Sequence, residues 1–508
     1  MGEFLITKRK RGSHLVNHVL ILLASSLLYG PQLLAPIMGD DLVNPFFNEF
    51  QTGGTVVGIS GIVDSITESG HINFLGVTLG SLHSLLWLRI DYFLGVPHWF
   101  FYSLSKLVVF HLTLHLISYL AHRICLSLQV FVPYLLVHSM VVVVFVSTSQ
   151  ISQLWSNDPV ANYVLTGYPS AMIGILSIYL FCLYLHKGGS RLLFLSTIVA
   201  TLGVLYYEIN LVLIIVFLVL SISSYLTHKG SVVNLLIEIA KVISIPLVLI
   251  PPLVLSKSTN LMNYAGTTIQ LGTDGLRSFL VGIFSGIPSA GWPQSFLQLN
   301  KFGFDFGFLE FTIIGVLGCF LVSIYMRSKA LDLKMPQLPN DSNAKGSPRF
   351  TKLFTLSIML YGIFSVVLQT GTQKYQLEIT EIGDTYMFYA QLHLIIVFCL
   401  VVIFMKNLTL GKTLSKLLAL VFVFGAIQIT LNTNLVRAAN TYVSASQVVI
   451  SQFNASSSNE ERCLSVENWN RNFWPQEYAS SFLVGLDYSF TKFYGERFCK
   501  FEIEGAKE

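Results

Sequence analysis

The acidic pair Asp40-Asp41 is the stretch of this sequence whose residue types and position best suit chemistry. It directly follows a first apolar run, from about Val16 to Met38. A carboxylate can take a proton from a hydroxyl group, which is the work of a general base. Carboxylates at membrane depth are rare and commonly functional. A second interpretation stays open, in which Asp40 caps a helix that begins near Leu42 at the start of a solvated loop.

The composition defines the setting in which this pair acts. The chain has 508 residues, of which 53% are hydrophobic and 11% are charged. Soluble domains carry roughly 25% charged residues, so the sequence predicts an all-α polytopic membrane protein. Apolar runs of about 20 residues mark helices that cross a bilayer. About eleven spans are predicted, at 16–38, 101–121, 128–147, 161–186, 192–208, 211–226, 233–256, 311–326, 353–370, 387–405 and 414–431.

The distribution of lysine and arginine predicts the orientation of these spans. Cytoplasmic loops are enriched in basic residues, and the basic loops alternate with loops that hold few. This pattern places the N-terminus in the cytoplasm and the C-terminus outside it. The predicted membrane module covers 1–431, with a first outer loop at 39–100, a large outer loop at 257–310 and a flexible inner linker at 329–350. Segments of the first outer loop suit amphipathic helices in the membrane interface, and 432–508 forms a small extracytoplasmic region.

Other polar groups are predicted to share an outer cavity with the acidic pair. Tyr207 and Glu208 end the fifth predicted span, and His71 lies in a polar break of the first outer loop. The alternative for Glu208 is that it reaches interfacial water. The run 286–293, Gly-Ile-Pro-Ser-Ala-Gly-Trp-Pro, excludes a continuous helix. It is either a re-entrant or surface turn, or a lining of that cavity, since irregular backbone at membrane depth needs protein or water around it.

The remaining reactive side chains favour structural roles. Cys463 and Cys499 lie in the predicted extracytoplasmic region, where disulfides form, and are predicted to pair; a pair of free thiols is the alternative. His111 and His115 stand one helical turn apart, but no third ligand or glutamate base accompanies them. Hydrogen bonding inside the bundle is therefore favoured over a metal site. No glycine-rich phosphate loop is present, which argues against an ATP-driven pump.

The order of these features resembles the GT-C superfamily of integral membrane glycosyltransferases. The resemblance rests on Gly39-Asp40-Asp41 at the outer end of the first helix, the long first outer loop and the many-helix bundle. The Tyr207-Glu208 helix end is similar to an element of bacterial members. The resemblance implies a lipid-phosphate sugar as donor and inversion at the anomeric carbon. No individual family within the superfamily is indicated.

The same resemblance implies roles for the site residues. Asp41 would be the general base and Asp40 would orient the acceptor, although these two roles can be exchanged. The leaving phosphate needs cations, for which Arg277 and Lys301 are the predicted outer-loop residues; ordinary snorkelling at the interface is their alternative. A lipid phosphate leaves readily, so neither a divalent metal nor another cofactor is required.

Sugar transfer to an envelope glycan or glycolipid acceptor on the extracytoplasmic face is thus the predicted function. The predicted partners are the lipid-linked donor, that acceptor and membrane lipids, with no nucleic acid. One rival is a transporter or flippase of lipid-linked glycans, although such proteins usually show paired repeats and charges near the midplane. Another rival is a different envelope glycan enzyme, namely a polymerase, a ligase or an acyltransferase.

Overall fold

The computed structural model is predominantly helical. It describes residues 16–35, 75–76, 79–80, 82–83, 98–151, 164–228, 235–236, 239–240, 272–332, 348–379, 382, 388–407, 411–442, 464–466 and 501–503. The first apolar helices are α1 (Val16–Leu28) and α2 (Gly30–Leu34). They are followed by α3 (His98–Ser127), α4 (Tyr134–Thr148), α5 (Gly167–Lys187), α6 (Ser190–Tyr206), a 3₁₀ helix (Glu208–Leu211) and α7 (Val212–His228). The later helices are α8 (Thr273–Ser285), α9 (Trp292–Phe302), α10 (Phe308–Asp332), α11 (Pro348–Thr370), α12 (Gln373–Glu378), α13 (Phe388–Lys406) and α14 (Gly411–Tyr442).

Many of these helices are suited to a bilayer. Within the described ranges, seven are long and apolar enough to cross a membrane, and three further apolar helices are shorter. The seven are Phe100–Ser127, Gly167–Lys187, Glu208–Leu226, Phe308–Ala330, Phe350–Thr370, Phe388–Lys406 and Thr413–Ala439. The structure therefore confirms a helical membrane protein. The count of eleven spans stays a prediction, because most of the span predicted at 233–256 lies outside the described residues.

Helix α4 lies at the centre of the bundle. It contacts α3, α10, α13 and α14, and its residues from Leu136 to Thr148 are all buried. The sequence of α4 is apolar on every side, including the run Val141–Val144, as expected for a helix with no face toward water or lipid. The outer surface of the bundle instead exposes large apolar side chains, for example Leu23 on α1 and Val322 on α10.

The first helix joins this core through aromatic packing. The rings of Tyr29 and Phe110 stack with centroids 4.0 Å apart, and Phe110 meets Phe145 of α4 at 5.5 Å. The end of the bundle at which α2 ends is called the rim end here. Hydrogen bonds between residues near the helix ends place the ends of α4, α6, α11 and α14 there, together with the starts of α3, α5, α10 and α13. The predicted topology would make the rim end extracytoplasmic.

Two observations concern the region predicted at 432–508. The predicted last span ends at Leu431, whereas α14 continues to Tyr442. Further on, the strands β1 (Leu464–Val466) and β2 (Phe501–Ile503) pair in parallel, with Leu464 opposite Phe501. This pairing joins the segments that follow Cys463 and Cys499. Both cysteines lie outside the described residues, so their disulfide stays a prediction.

Candidate functional site at the rim end

A buried lysine holds the end of the first helix. The Nζ atom of Lys106, on α3, donates to the carbonyl oxygens of Gln32 at 3.2 Å and Ala35 at 2.9 Å. It also lies 4.7 Å from the ring centroid of Tyr102. The last carbonyls of a helix lack intrahelical donors and carry partial negative charge, so a cation there is favourable. Lys106 is 2% exposed, which makes this contact a fixed part of the fold.

This contact bears directly on the predicted base. Asp40 follows Ala35 by five residues, so covalent geometry keeps it within about 18 Å of the lysine-bound carbonyl. Asp40 and Asp41 themselves lie outside the described residues, as does His71. What the structure supplies is a rigid starting point for the segment that carries them.

A second charged group lies where α10 and α14 meet. The Nη2 atom of Arg437 binds Glu310 Oε1, and its Nη1 atom lies 3.3 Å from Asp305 Oδ2. Glu310 is completely buried and also accepts a hydrogen bond from Gly307 N at 3.0 Å. Asn434 Oδ1 accepts a bond from Asp305 N at 2.8 Å. A buried carboxylate of this kind needs such partners, and together they clamp the start of α10 to the last turns of α14.

A buried histidine joins three helices at the rim end of α4. His393 Nε2 lies 2.8 Å from Thr148 Oγ1, and Nδ1 lies 2.9 Å from the Tyr168 hydroxyl. In a neutral imidazole one ring nitrogen donates and the other accepts, so this pair of hydroxyl partners can satisfy both. The imidazole ring is also stacked on Tyr389, with centroids 5.4 Å apart. The side chain therefore fixes α13 and α5 against the end of α4.

The backbone that leaves α4 is held by side chains rather than by a regular helix end. Asn432 donates from Nδ2 to Ser149 O at 2.8 Å and accepts from Ile151 N at 3.0 Å through Oδ1. The Tyr389 hydroxyl accepts a bond from Gln150 N at 3.1 Å. Orphan helix-end groups need such partners when they are buried. The rim end therefore holds its loop exits through specific polar contacts.

The predicted Tyr207-Glu208 element also lies at the rim end. Both side chains are half-buried, and Tyr207 packs against a small apolar cluster that includes Phe388. An added Cβ atom at Gly76 would lie 1.9 Å from the carbonyl oxygen of Tyr206, so a piece of the predicted first outer loop touches this turn. The structure thus brings the Tyr207-Glu208 turn and Gly76 of that loop to one end of the bundle.

Asn210, two residues beyond Glu208, forms a buried polar centre. Its Nδ2 atom donates to Ser170 Oγ at 2.9 Å and to Gly203 O at 3.0 Å. Its Oδ1 atom accepts a bond from the Tyr361 hydroxyl at 2.7 Å. An asparagine with both ends satisfied ties α5, α6 and α11 together.

The predicted cations occupy the two helices next to the run 286–293. Arg277 is exposed near the start of α8, and Lys301 belongs to α9, although its side chain is outside the described part. Their assignment to a leaving phosphate stays a prediction.

The histidine pair of α3 takes part in bundle contacts. His111 Nε2 lies 3.0 Å from Ser26 Oγ, and His115 Nδ1 lies 3.1 Å from the Tyr134 hydroxyl. The ring of His115 stacks on His138 at 4.5 Å. Over the described ranges, no group of three or more His, Cys, Asp or Glu side chains has the arrangement of a metal site.

The sequence did not single out several residues of the rim end, among them Lys106, Glu310 and Arg437. Lys106 lies inside a predicted span, where a lone charge is itself a functional signal. Glu310 and Arg437 each stand alone beyond the end of a predicted span, without the paired charge that marks Asp40-Asp41. No protein-family model matches this chain, and no curated protein matches it.

Proposed function

We propose that the chain is an integral membrane glycosyltransferase of the GT-C type. It would move a sugar from a lipid-phosphate donor to an envelope glycan or glycolipid acceptor at the extracytoplasmic face. The observation that supports this proposal most is the Lys106 contact, because a buried cation holds the exit of the helix that leads to Asp40 and Asp41. A base must be kept within hydrogen-bond reach of its substrate, so a rigid exit suits that role.

The proposed reaction uses few groups. Asp41, or Asp40 in the exchanged assignment, takes the proton of an acceptor hydroxyl. The acceptor oxygen then bonds to the anomeric carbon as the bond to the phosphate oxygen breaks, and the lipid phosphate leaves with the electron pair. Arg277 and Lys301 would meet its negative charge. Arg437 is not given this role, because it is engaged by Glu310 and Asp305.

Glu208, Tyr207 and His71 would line the polar side of the same site. Attack from the face opposite the leaving phosphate gives inversion. The proposed chemistry draws its energy from the lipid-phosphate donor, so it needs no nucleotide, no metal and no other cofactor.

This proposal is tested with two variants, Asp41→Asn and Asp40→Asn, and with a matched control. The assay would use the purified protein in native lipids with a radiolabelled polyprenyl-phosphate hexose or pentose, and with membrane glycans as acceptor. We expect at least one of the two variants to lose transfer by about 100-fold or more. Asp274→Asn is the control, since Asp274 is exposed on α8 and has no proposed role.

Two results would overturn the proposal. One is full transfer by Asp40→Asn, by Asp41→Asn and by the double variant. The other is a strict requirement for a nucleotide sugar. If a fluorescent lipid-linked glycan crosses proteoliposomes without any new glycosidic product, the flippase alternative is favoured instead.

A further inference from the structure

The helical hairpin formed by α8, the turn 286–291 and α9 is placed within the rim end rather than above it. Successive small residues of α8 seat it against neighbouring helices. An added Cβ atom at Gly282 would lie 2.8 Å from Val366 Cγ1, and one at Gly286 would lie 2.3 Å from Leu392 Cδ1. Val366 is one helical turn before the end of α11, and Leu392 is one turn after the start of α13. The hairpin therefore descends alongside these membrane helices toward its turn.

The turn meets the main requirement for backbone at membrane depth. In a bilayer, polar backbone groups must be satisfied inside the protein. Gly286 N bonds Gly282 O at 3.2 Å, Ile287 N bonds Phe284 O at 3.0 Å, and Ala290 N bonds Ile287 O at 3.0 Å. Pro288 has no N–H to satisfy. These bonds leave few backbone donors of the turn in need of water.

Side chains from the core hold the same turn in place. Gln150 accepts a bond from Gly291 N and donates one to Ser285 O, each at 3.4 Å. Trp292 Nε1 donates to Gln428 Oε1 on α14 at 2.9 Å. Gly286 and Gly291 are buried. The turn is thus a fixed part of the bundle.

An exposed apolar stripe runs along the opposite face of α8 and continues into the turn. Leu276, Leu280, Phe284 and Ile287 are exposed by 61, 47, 48 and 45%. The spacing of four residues places the first three on one side of α8, and Ile287 follows in the turn. Residues 278, 282 and 286, which face the bundle, are offset from the stripe by two positions and about 200°.

We propose that α8, the turn and α9 form a re-entrant hairpin in the leaflet at the rim end, with this stripe against lipid acyl chains. The stripe is continuous with the lipid-facing surface of the bundle, which supports contact with lipid rather than with a second copy of the protein. Helix α8 packs on α11, whose exposed Ile363 and Val367 belong to a candidate span. Phe308 and Phe311, at the start of the span that follows α9, are exposed by 85 and 68%. This inference does not depend on the proposed reaction.

Variants that each carry one added cysteine, reconstituted in nanodiscs, test the hairpin. Leu276→Cys, Leu280→Cys and Phe284→Cys would each carry a nitrobenzoxadiazole fluorophore, in a Cys319→Ser background because Cys319 is exposed. Labelled Cys319→Ser protein without the new cysteine provides the blank. Asp274→Cys is the control on the same helix, near its start. Each protein is measured with phosphatidylcholine that carries a doxyl group on acyl carbon 5, and separately with aqueous iodide.

We expect the doxyl lipid to quench the three stripe positions at least twofold more than position 274, and iodide to show the reverse order. Equal iodide quenching at all four positions would overturn the proposal, since the stripe would then face water. Protection from both quenchers, together with a chemically cross-linked dimer, would overturn it in favour of a second protein copy. Because each stripe residue is already exposed, its replacement leaves the folded core unchanged.

Discussion

Replacing Arg437 with methionine isolates the energetic role of the clamp between α10 and α14. Removing one partner of a fully buried ion pair costs about 3–5 kcal/mol, because the other charge stays buried without compensation. The Glu310 side chain is 0% exposed, whereas that of Arg437 is 40% exposed. Exposed ion pairs contribute only about 0–1 kcal/mol, so the half-exposed Arg437–Glu310 pair lies between the buried and the exposed case. We expect Arg437→Met to lower the free energy of unfolding by about 2–3 kcal/mol.

The partner variant should cost less. Glu310→Gln removes the buried charge and keeps an oxygen that can accept from Gly307 N, while Arg437 can still reach water and Asp305. A loss of about 1 kcal/mol is expected, which is the usual scale of one hydrogen bond. The double variant Arg437→Met with Glu310→Gln leaves no buried charge. It should therefore be more stable than Arg437→Met alone by about 1 kcal/mol, which makes the two losses clearly non-additive.

Equilibrium unfolding in mixed micelles, driven by an increasing fraction of dodecyl sulfate, measures these differences. Asp305→Asn is the matched control, since this exposed aspartate touches the same arginine and should change stability by no more than about 0.5 kcal/mol. If the two single losses simply add in the double variant, Glu310 is not a buried charge that depends on Arg437. The description of the clamp as a buried ion pair would then be wrong.

Three further changes test other parts of the fold by the same unfolding measurement. Lys106→Met removes two charge-assisted hydrogen bonds at the exit of α2 and should cost about 2 kcal/mol together with most sugar transfer; an unchanged protein would contradict the anchoring role. Gly174→Ala would place a Cβ atom 2.2 Å from the Tyr361 hydroxyl oxygen and should cost about 1–3 kcal/mol, whereas Gly315→Ala, with nothing within 4 Å, should not destabilise. Burial lowers the pKa of His83 from 6.5 to about 4, so the unfolded chain binds its proton first as the pH falls below about 6.5. Stability should drop by about 2 kcal/mol between pH 7 and pH 5, and His83→Phe should lack that part of the drop.

The helices were the part of the fold that the sequence could predict. A bilayer requires long apolar runs, so spans such as 353–370 and 387–405 overlap α11 and α13. The limits of α14 were harder, because the sequence turns polar after Leu431 while the helix continues to Tyr442. Its polar residues bind backbone on other segments, as Asn432 does. Hydropathy cannot distinguish a polar residue in such a contact from one in a loop.

The site residues were predicted only where a local pattern marks them. Two acids in a row at a helix end form such a pattern, and so does a tyrosine-glutamate pair at a hairpin. Lys106 is marked only as a lone charge inside a predicted span, and its role depends on carbonyl oxygens more than 70 positions away in the chain. The same holds for His393, whose partners Thr148 and Tyr168 belong to two other helices. Contacts made by tertiary packing leave little trace in a single sequence.

The position of buried charge gives a physical reason to seek the proposed reaction at the rim end. Among the described lysine, arginine, aspartate and glutamate residues, Lys106 and Glu310 are the buried ones, and both lie there. Burying an ion costs free energy unless it is paired, so each needs a compensating role. Lys106 fixes the chain that leads to Asp40 and Asp41, and Glu310 fixes the end of α14. A bundle that only had to span a membrane could use apolar contacts at both places, whereas a catalytic base and its substrate must be held to within about 0.5 Å.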